Sequence, residues 1–171
     1  MNIDLEKSPS RPDFAIDPGP GQESVWDYPR PPAVESNNCT IKVLAGTQLL
    51  ARSEGSYKVM ETASPPTYYI PATAVDFGLL VEMTDRTYCE WKGTASYWAL
   101  VGQPDVPVAW SYENPRPRFQ IIKDHISFYP GIVSCFFDGE PVKPQAGRFY
   151  GGWLTSGIVG PCKGDPGTGH W

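Results

Sequence analysis

The sequence predicts an all-β fold with mainly antiparallel sheets, and three observations carry that reading. Turn formers are dense, with 17 glycines and 19 prolines in 171 residues. Aromatic residues make up 13% of the chain. Long runs of Ala, Leu, Glu and Lys, the residues that favour helix, are missing. Aromatic and β-branched side chains suit a pleated, half-buried surface, while frequent turn formers cut a chain into short strands. One or two short helices and extended terminal segments complete the expectation.

Taken in order, residues 1–36 read as a proline-rich arm. They hold seven prolines and almost no apolar periodicity, a composition that does not nucleate a core. Val25, Trp26 and Tyr28 are its candidate anchors. Residues 37–134 read as the β domain. CTIKVLAG (39–46) and TQLLARS (47–53) flank Ala45-Gly46, a hairpin signal. SYKVMET (56–62) alternates, with Tyr57, Val59 and Glu61 on one face. TYYIP (67–71) is a short strand stopped by proline. Residues 71–77 suggest one helical turn and LLVEM (79–83) a strand. WKGTASYWALVG (91–102) is the longest strand expected, followed by VPVAWSY (106–112). FQIIKDHI suggests a short helix, and ISFYP (126–130) the last strand. Residues 135–171 form a glycine-rich tail in which regular structure costs too much entropy. Phe149, Tyr150, Trp153 and Trp171 are its expected anchors.

Composition narrows function by exclusion. The formal net charge is −5, and the arm alone holds seven acids against three bases. An acidic chain without a basic run offers no footprint for nucleic acid or for an anionic membrane surface. No apolar run approaches the roughly 18 residues of a spanning helix. MNIDLEKSPSRPDF has neither a basic n-region nor an apolar h-region, so a cytoplasmic protein is expected. Cys39, Cys89, Cys135 and Cys162 form no CxxC pair, which argues for thiols rather than a structural zinc site.

Chemistry concentrates in DRTYCEWKGTASYW (85–98). Side chains alternate along a strand, so Lys92, Thr94, Ser96 and Trp98 share one face, and Ala95, Tyr97 and Ala99 the other. The first set resembles a pocket wall, placed polar groups beside apolar surface, or else a half-solvated sheet edge. A Lys92–Ser96 dyad fails on distance: four strand residues span roughly 13 Å, far beyond hydrogen-bond reach. Arg86 suits bidentate capture of a carboxylate or phosphate. Cys89 between Arg86 and Lys92 is a candidate activated thiol. An inward Glu61 requires a cationic partner, Arg86 or Lys92. His125 and His170 stand alone, and KGDPGTG (163–169) lacks the order of a phosphate-binding loop.

METASPPTYYIP (60–71), DRTYCEWKGTASYW (85–98), AWSYENP (109–115) and ISFYP (126–130) resemble, in that order, the blocks of domain-of-unknown-function family 427. FDGEPVKPQAGRFYGGWLTSGIVGPCKGDPGTGHW (137–171) resembles the tail of its longer members. The resemblance implies a β-tent-like fold of two small, roughly orthogonal sheets and no established activity. Zinc, held by paired cysteines in many β-tent proteins, does not carry over, so no cofactor or metal is expected. The family's recurring polar positions fall on Glu61, Tyr69, Arg86, Cys89, Lys92, Thr94, Ser96 and Tyr97; with Trp98 these form the candidate ligand site. The leading expectation is binding of a small anionic or polar molecule. The alternatives are an enzyme using Glu61 or Cys89, and an interaction module whose arm and tail embrace a second subunit in a homodimer.

Overall fold

The structure, a computed structural model, describes residues 11–147 and 150–171. Residues 1–10 of the expected arm, and Phe149 of the tail anchors, lie outside the described residues. The fold is all-β. In chain order the strands are β1 (Glu23–Ser24), β2 (Ala33–Asn37), β3 (Ile41–Ala45), β4 (Gln48–Ser53), β5 (Ser56–Met60), β6 (Thr67–Pro71), β7 (Leu80–Cys89), β8 (Gly93–Leu100), β9 (Gln103–Ser111), β10 (His125–Phe128), β11 (Ser134–Phe137), β12 (Glu140–Pro141), β13 (Lys143–Pro144), β14 (Trp153–Leu154) and β15 (Ile158–Val159). The helical content consists of short 3₁₀ turns, among them Ala72–Ala74, Phe77–Leu79 and Pro117–Ile122. No helix among the described residues is long and apolar enough to cross a membrane.

One sheet has seven strands in the order β2-β5-β6-β10-β9-β8-β7, and a second has four in the order β12-β11-β3-β4. Every pairing within these two sheets is antiparallel. The main core lies between them: Ile41, Val43 and Leu50 from the smaller sheet meet Ile70, Val108 and Phe128 from the larger. The other face of the large sheet carries a second cluster with Tyr69, Trp110, Tyr112, Phe119 and Ile122. Ile70 and Tyr69 show the strand period at work, adjacent residues feeding opposite faces.

Four differences from the sequence reading have physical causes. Ala33–Asn37 is a sheet strand, β2, pairing antiparallel with β5 from Ala33↔Met60 to Asn37↔Ser56; its polarity hid it, because an edge strand needs only one partner. Strand β7 runs on to Cys89 instead of ending near 83, with a register shift between Glu82 and Arg86 that breaks its alternation. Strand β8 starts at Gly93 rather than Trp91, since Gly93 takes φ +106° as Cys89 pairs with it across a three-residue turn. And ISFYP is not the last strand: β11 pairs with β3, followed by two-residue strands too short to register as a sequence pattern.

Both terminal segments dock on their own chain. Strand β1 pairs with β15 in parallel, Val25 and Trp26 are buried, and Phe14 stacks on Trp171 at 5.0 Å. Lys58 is buried and meets Glu23 at 2.7 Å, which also accepts from the Tyr28 hydroxyl at 2.6 Å. The tail is seated by Trp153, which is 0% exposed. Its backbone N–H donates to the Pro66 carbonyl at 2.9 Å and its indole Nε1 to the Phe128 carbonyl at 3.0 Å. Loss of that side chain empties the largest fully buried volume and orphans a carbonyl. Trp153→Ala is therefore expected to destabilise the fold by about 3–5 kcal/mol, read from urea denaturation.

Candidate functional site

A cavity of about 240 Å³ opens on the second-cluster face of the large sheet. Its walls come from five places in the chain. The end of β5 and the residue after it bring Val59 and Glu61; β6 brings Thr67 and Tyr69. The β7–β8 hairpin brings Thr87, Cys89, Lys92 and Tyr97. Trp110, Tyr112 and Tyr129 stand on β9 and just after β9 and β10. The tail closes one side with Gln145, Tyr150, Gly151 and Gly152.

Hydrogen bonds fix the aromatic walls. Trp110 Nε1 donates to the Tyr69 hydroxyl at 3.1 Å in a buried bond. The Tyr97 hydroxyl and Thr87 Oγ1 lie 2.6 Å apart. Burial, then the Tyr97 neighbour, pushes the Tyr129 phenol well above its ordinary range. Burial does the same to Tyr112. These phenols therefore stay neutral at physiological pH and offer hydroxyls, not charges.

Among the described residues Lys92 is the cation that lines this cavity. The hairpin turn holds it: its carbonyl accepts from the Arg116 backbone N–H at 3.0 Å, and Arg116 reaches the Glu90 carbonyl at 2.9 Å. The Lys92 ammonium sits 5.9 Å from the Tyr112 ring centroid, within cation–π range. Burial works to lower its pKa, but its electrostatic neighbours, Tyr69 first and then Cys89 and Glu61, outweigh burial and hold it above the ordinary value. Among the described residues no ion pair includes either Lys92 or Glu61.

Of the nine residues singled out in the sequence, Glu61, Tyr69, Cys89, Lys92 and Tyr97 line this cavity, and Arg86, Thr94, Ser96 and Trp98 do not. Alternation separates the two faces of β8 correctly, yet the Thr94, Ser96 and Trp98 face is not the cavity face. Lys92 precedes the strand, in the turn, so strand parity does not govern it, and it joins Tyr97. Thr94 is exposed. Ser96 bonds Glu113 at 3.3 Å, and Trp98 Nε1 donates to Ser111 Oγ at 3.0 Å. Arg86 does not pair with Glu61. It binds the Met83 and Asp85 carbonyls at 2.8 Å each and the Glu82 carboxylate at 2.9 Å, closing the bulge in its own strand.

Sequence reasoning misses Trp110, Tyr112 and Tyr129, which pattern alone treats as strand aromatics, and the tail wall. The available signal is FYGGW: a glycine pair between aromatics marks close backbone approach. Gly151 lies on the Trp110 ring, so a Cβ there would overlap the indole. Gly152 lies against Pro65, where a Cβ would come within 2.9 Å of that ring, and its N–H donates to the Gln145 side chain at 3.1 Å. Gly151→Ala is expected to force the tail or Trp110 to shift, destabilising by about 1–3 kcal/mol. A lowered thermal midpoint together with a shifted tryptophan emission maximum is the measurement.

Comparison with curated proteins gives no match. A protein-family model does match, over residues 33–139, which span β2 to the β11–β12 turn and most of the cavity but stop short of the tail wall. The chain thus belongs to the family described as a domain of unknown function (DUF427).

Proposed function

We propose that this chain binds a small molecule carrying an anionic group, with the anion against Lys92 and the remainder against Tyr69, Tyr97 and Trp110. One observation carries the reading: a charged ammonium faces an aromatic cavity with no ion pair among the described residues. A half-buried charge without a counter-charge is costly, and an incoming anion offsets that cost. The aromatic faces argue against a cationic ligand, because Lys92 already occupies the face of Tyr112 and would repel a second cation. Arg86 has no part in this reading, since its guanidinium is engaged by its own strand.

Benzoate is a suitable probe, a single ring with one carboxylate. Titration calorimetry is expected to show benzoate binding to the wild type, at least about tenfold weaker binding to Lys92→Met, and an unchanged affinity in Arg86→Ala. Equal affinity in the Lys92→Met protein, or no binding to the folded wild type, overturns the proposal.

The pH dependence follows from the sign of the Lys92 shift. A lysine held above its ordinary value of 10.5 is fully charged below that value and loses its charge only above it. Benzoate affinity is therefore expected to be flat between about pH 6 and about pH 9. A decline within that window would show that Lys92 is not the counter-charge.

A further inference from the structure

Resting on the binding reading above, we propose that the ligand is dipolar: one ring with an anionic group for Lys92 and a hydrogen-bond donor, an amine above all, for Glu61. Glu61 and Lys92 line the same cavity, and no ion pair joins them. The Glu61 side chain has no hydrogen bond among the described residues; its backbone carbonyl alone is engaged, accepting from the Ser64 N–H at 3.1 Å. Two unlike charges thus face one space without meeting. A ligand bearing only an anion would satisfy Lys92 and leave the carboxylate facing it, an unfavourable like-charge approach. A ligand with a donor turns that carboxylate into an acceptor of a charge-assisted hydrogen bond.

Size and wall chemistry supply the rest of the class. At about 30 Å³ for each water-sized group, the 240 Å³ of this cavity hold about eight such groups, the extent of one substituted six-membered ring. The walls suit a flat ring. Trp110 and Tyr129 stand 4.6 Å apart, and Tyr69 lies 6.2 Å from Trp110, both pairs inclined rather than parallel, so that edges and faces are both on offer. The tail fixes the end of that space, since Gly151 and Gly152 already press on Trp110 and Pro65.

Two probes of matched shape separate the proposal from its premise: 4-aminobenzoate, which has the donor, and 4-methylbenzoate, which replaces it with a methyl group. Titration of the full chain is expected to show 4-aminobenzoate binding about tenfold tighter, the worth of about one hydrogen bond to a charged group. In Glu61→Gln that advantage is expected to shrink to within about threefold while 4-methylbenzoate binds no more weakly than before. In Lys92→Met both should weaken together. Equal binding of the two probes by the wild type overturns the dipolar ligand and leaves the anion reading standing, and so does a Glu61→Gln protein that keeps the full preference. Absence of binding by either carboxylate overturns both. Should Glu61→Gln fail to fold, as judged by circular dichroism, the wild-type comparison decides alone.

Discussion

The seat of Trp153 is the interaction on which the geometry of the candidate site depends. One residue, its side chain wholly buried, ties the tail to the loop ahead of β6 through its backbone N–H on Pro66 and to the end of β10 through its indole on Phe128. Its ring also packs 5.3 Å from Tyr68 in the main core. With that residue fixed, the two preceding glycines have nowhere to lie except across the aromatic face of the large sheet. The tail's lack of regular structure is therefore no sign of looseness. Short backbone pairings and the Gln145 brace, which accepts from Gly152 and donates to the Lys163 carbonyl, replace the repeating hydrogen bonds of a long strand.

The second determinant is a turn. Had Lys92 been a residue of β8, alternation would have sent it to the side of Thr94 and Ser96, away from the aromatic cluster. Gly93 adopts a positive φ that an L side chain rarely tolerates, and the chain reverses before the strand begins. The ammonium is thereby delivered to the face of Tyr97 and Tyr112. Arg116, from the segment after β9, braces that reversal through Lys92 and Glu90. A cation among aromatic rings is costly to desolvate, and here its electrostatic neighbours Tyr69, Cys89 and Glu61 outweigh that cost and hold its pKa above the ordinary value.

Much of the fold was legible in the sequence for simple reasons. Strands such as TYYIP (67–71) and SYKVMET (56–62) announce themselves through alternation and flanking turn formers, and β3 and β4 through Gly46. The polar edge strand β2 was not legible because it needs only one partner and shows no apolar alternation, and the two-residue strands of the tail were not legible because they are too short to carry a pattern. For the site, the family's recurring polar positions, rather than strand parity, bring out the part that comes together. Glu61, Tyr69, Cys89, Lys92 and Tyr97 converge. Arg86 escapes such a reading because a bulge between Glu82 and Arg86 shifts register, and such a shift has no compositional mark. Tyr129 and the Gly151–Gly152 wall depend on contacts across dozens of residues, and local pattern carries no record of those.

The boundary between the family-matched residues and the tail has a consequence for how such a site can change. The charges and most of the rings belong to residues inside 33–139, whereas the end wall belongs to residues beyond it. If the cavity binds as proposed, chemical selectivity and length selectivity would be encoded in separate stretches of chain. Replacing the segment around Tyr150 would resize the chamber without disturbing Lys92 or Glu61, and altering those two would recharge it without moving the wall. On that proposal the molecule would be modular within a single cavity, its two kinds of discrimination free to drift independently.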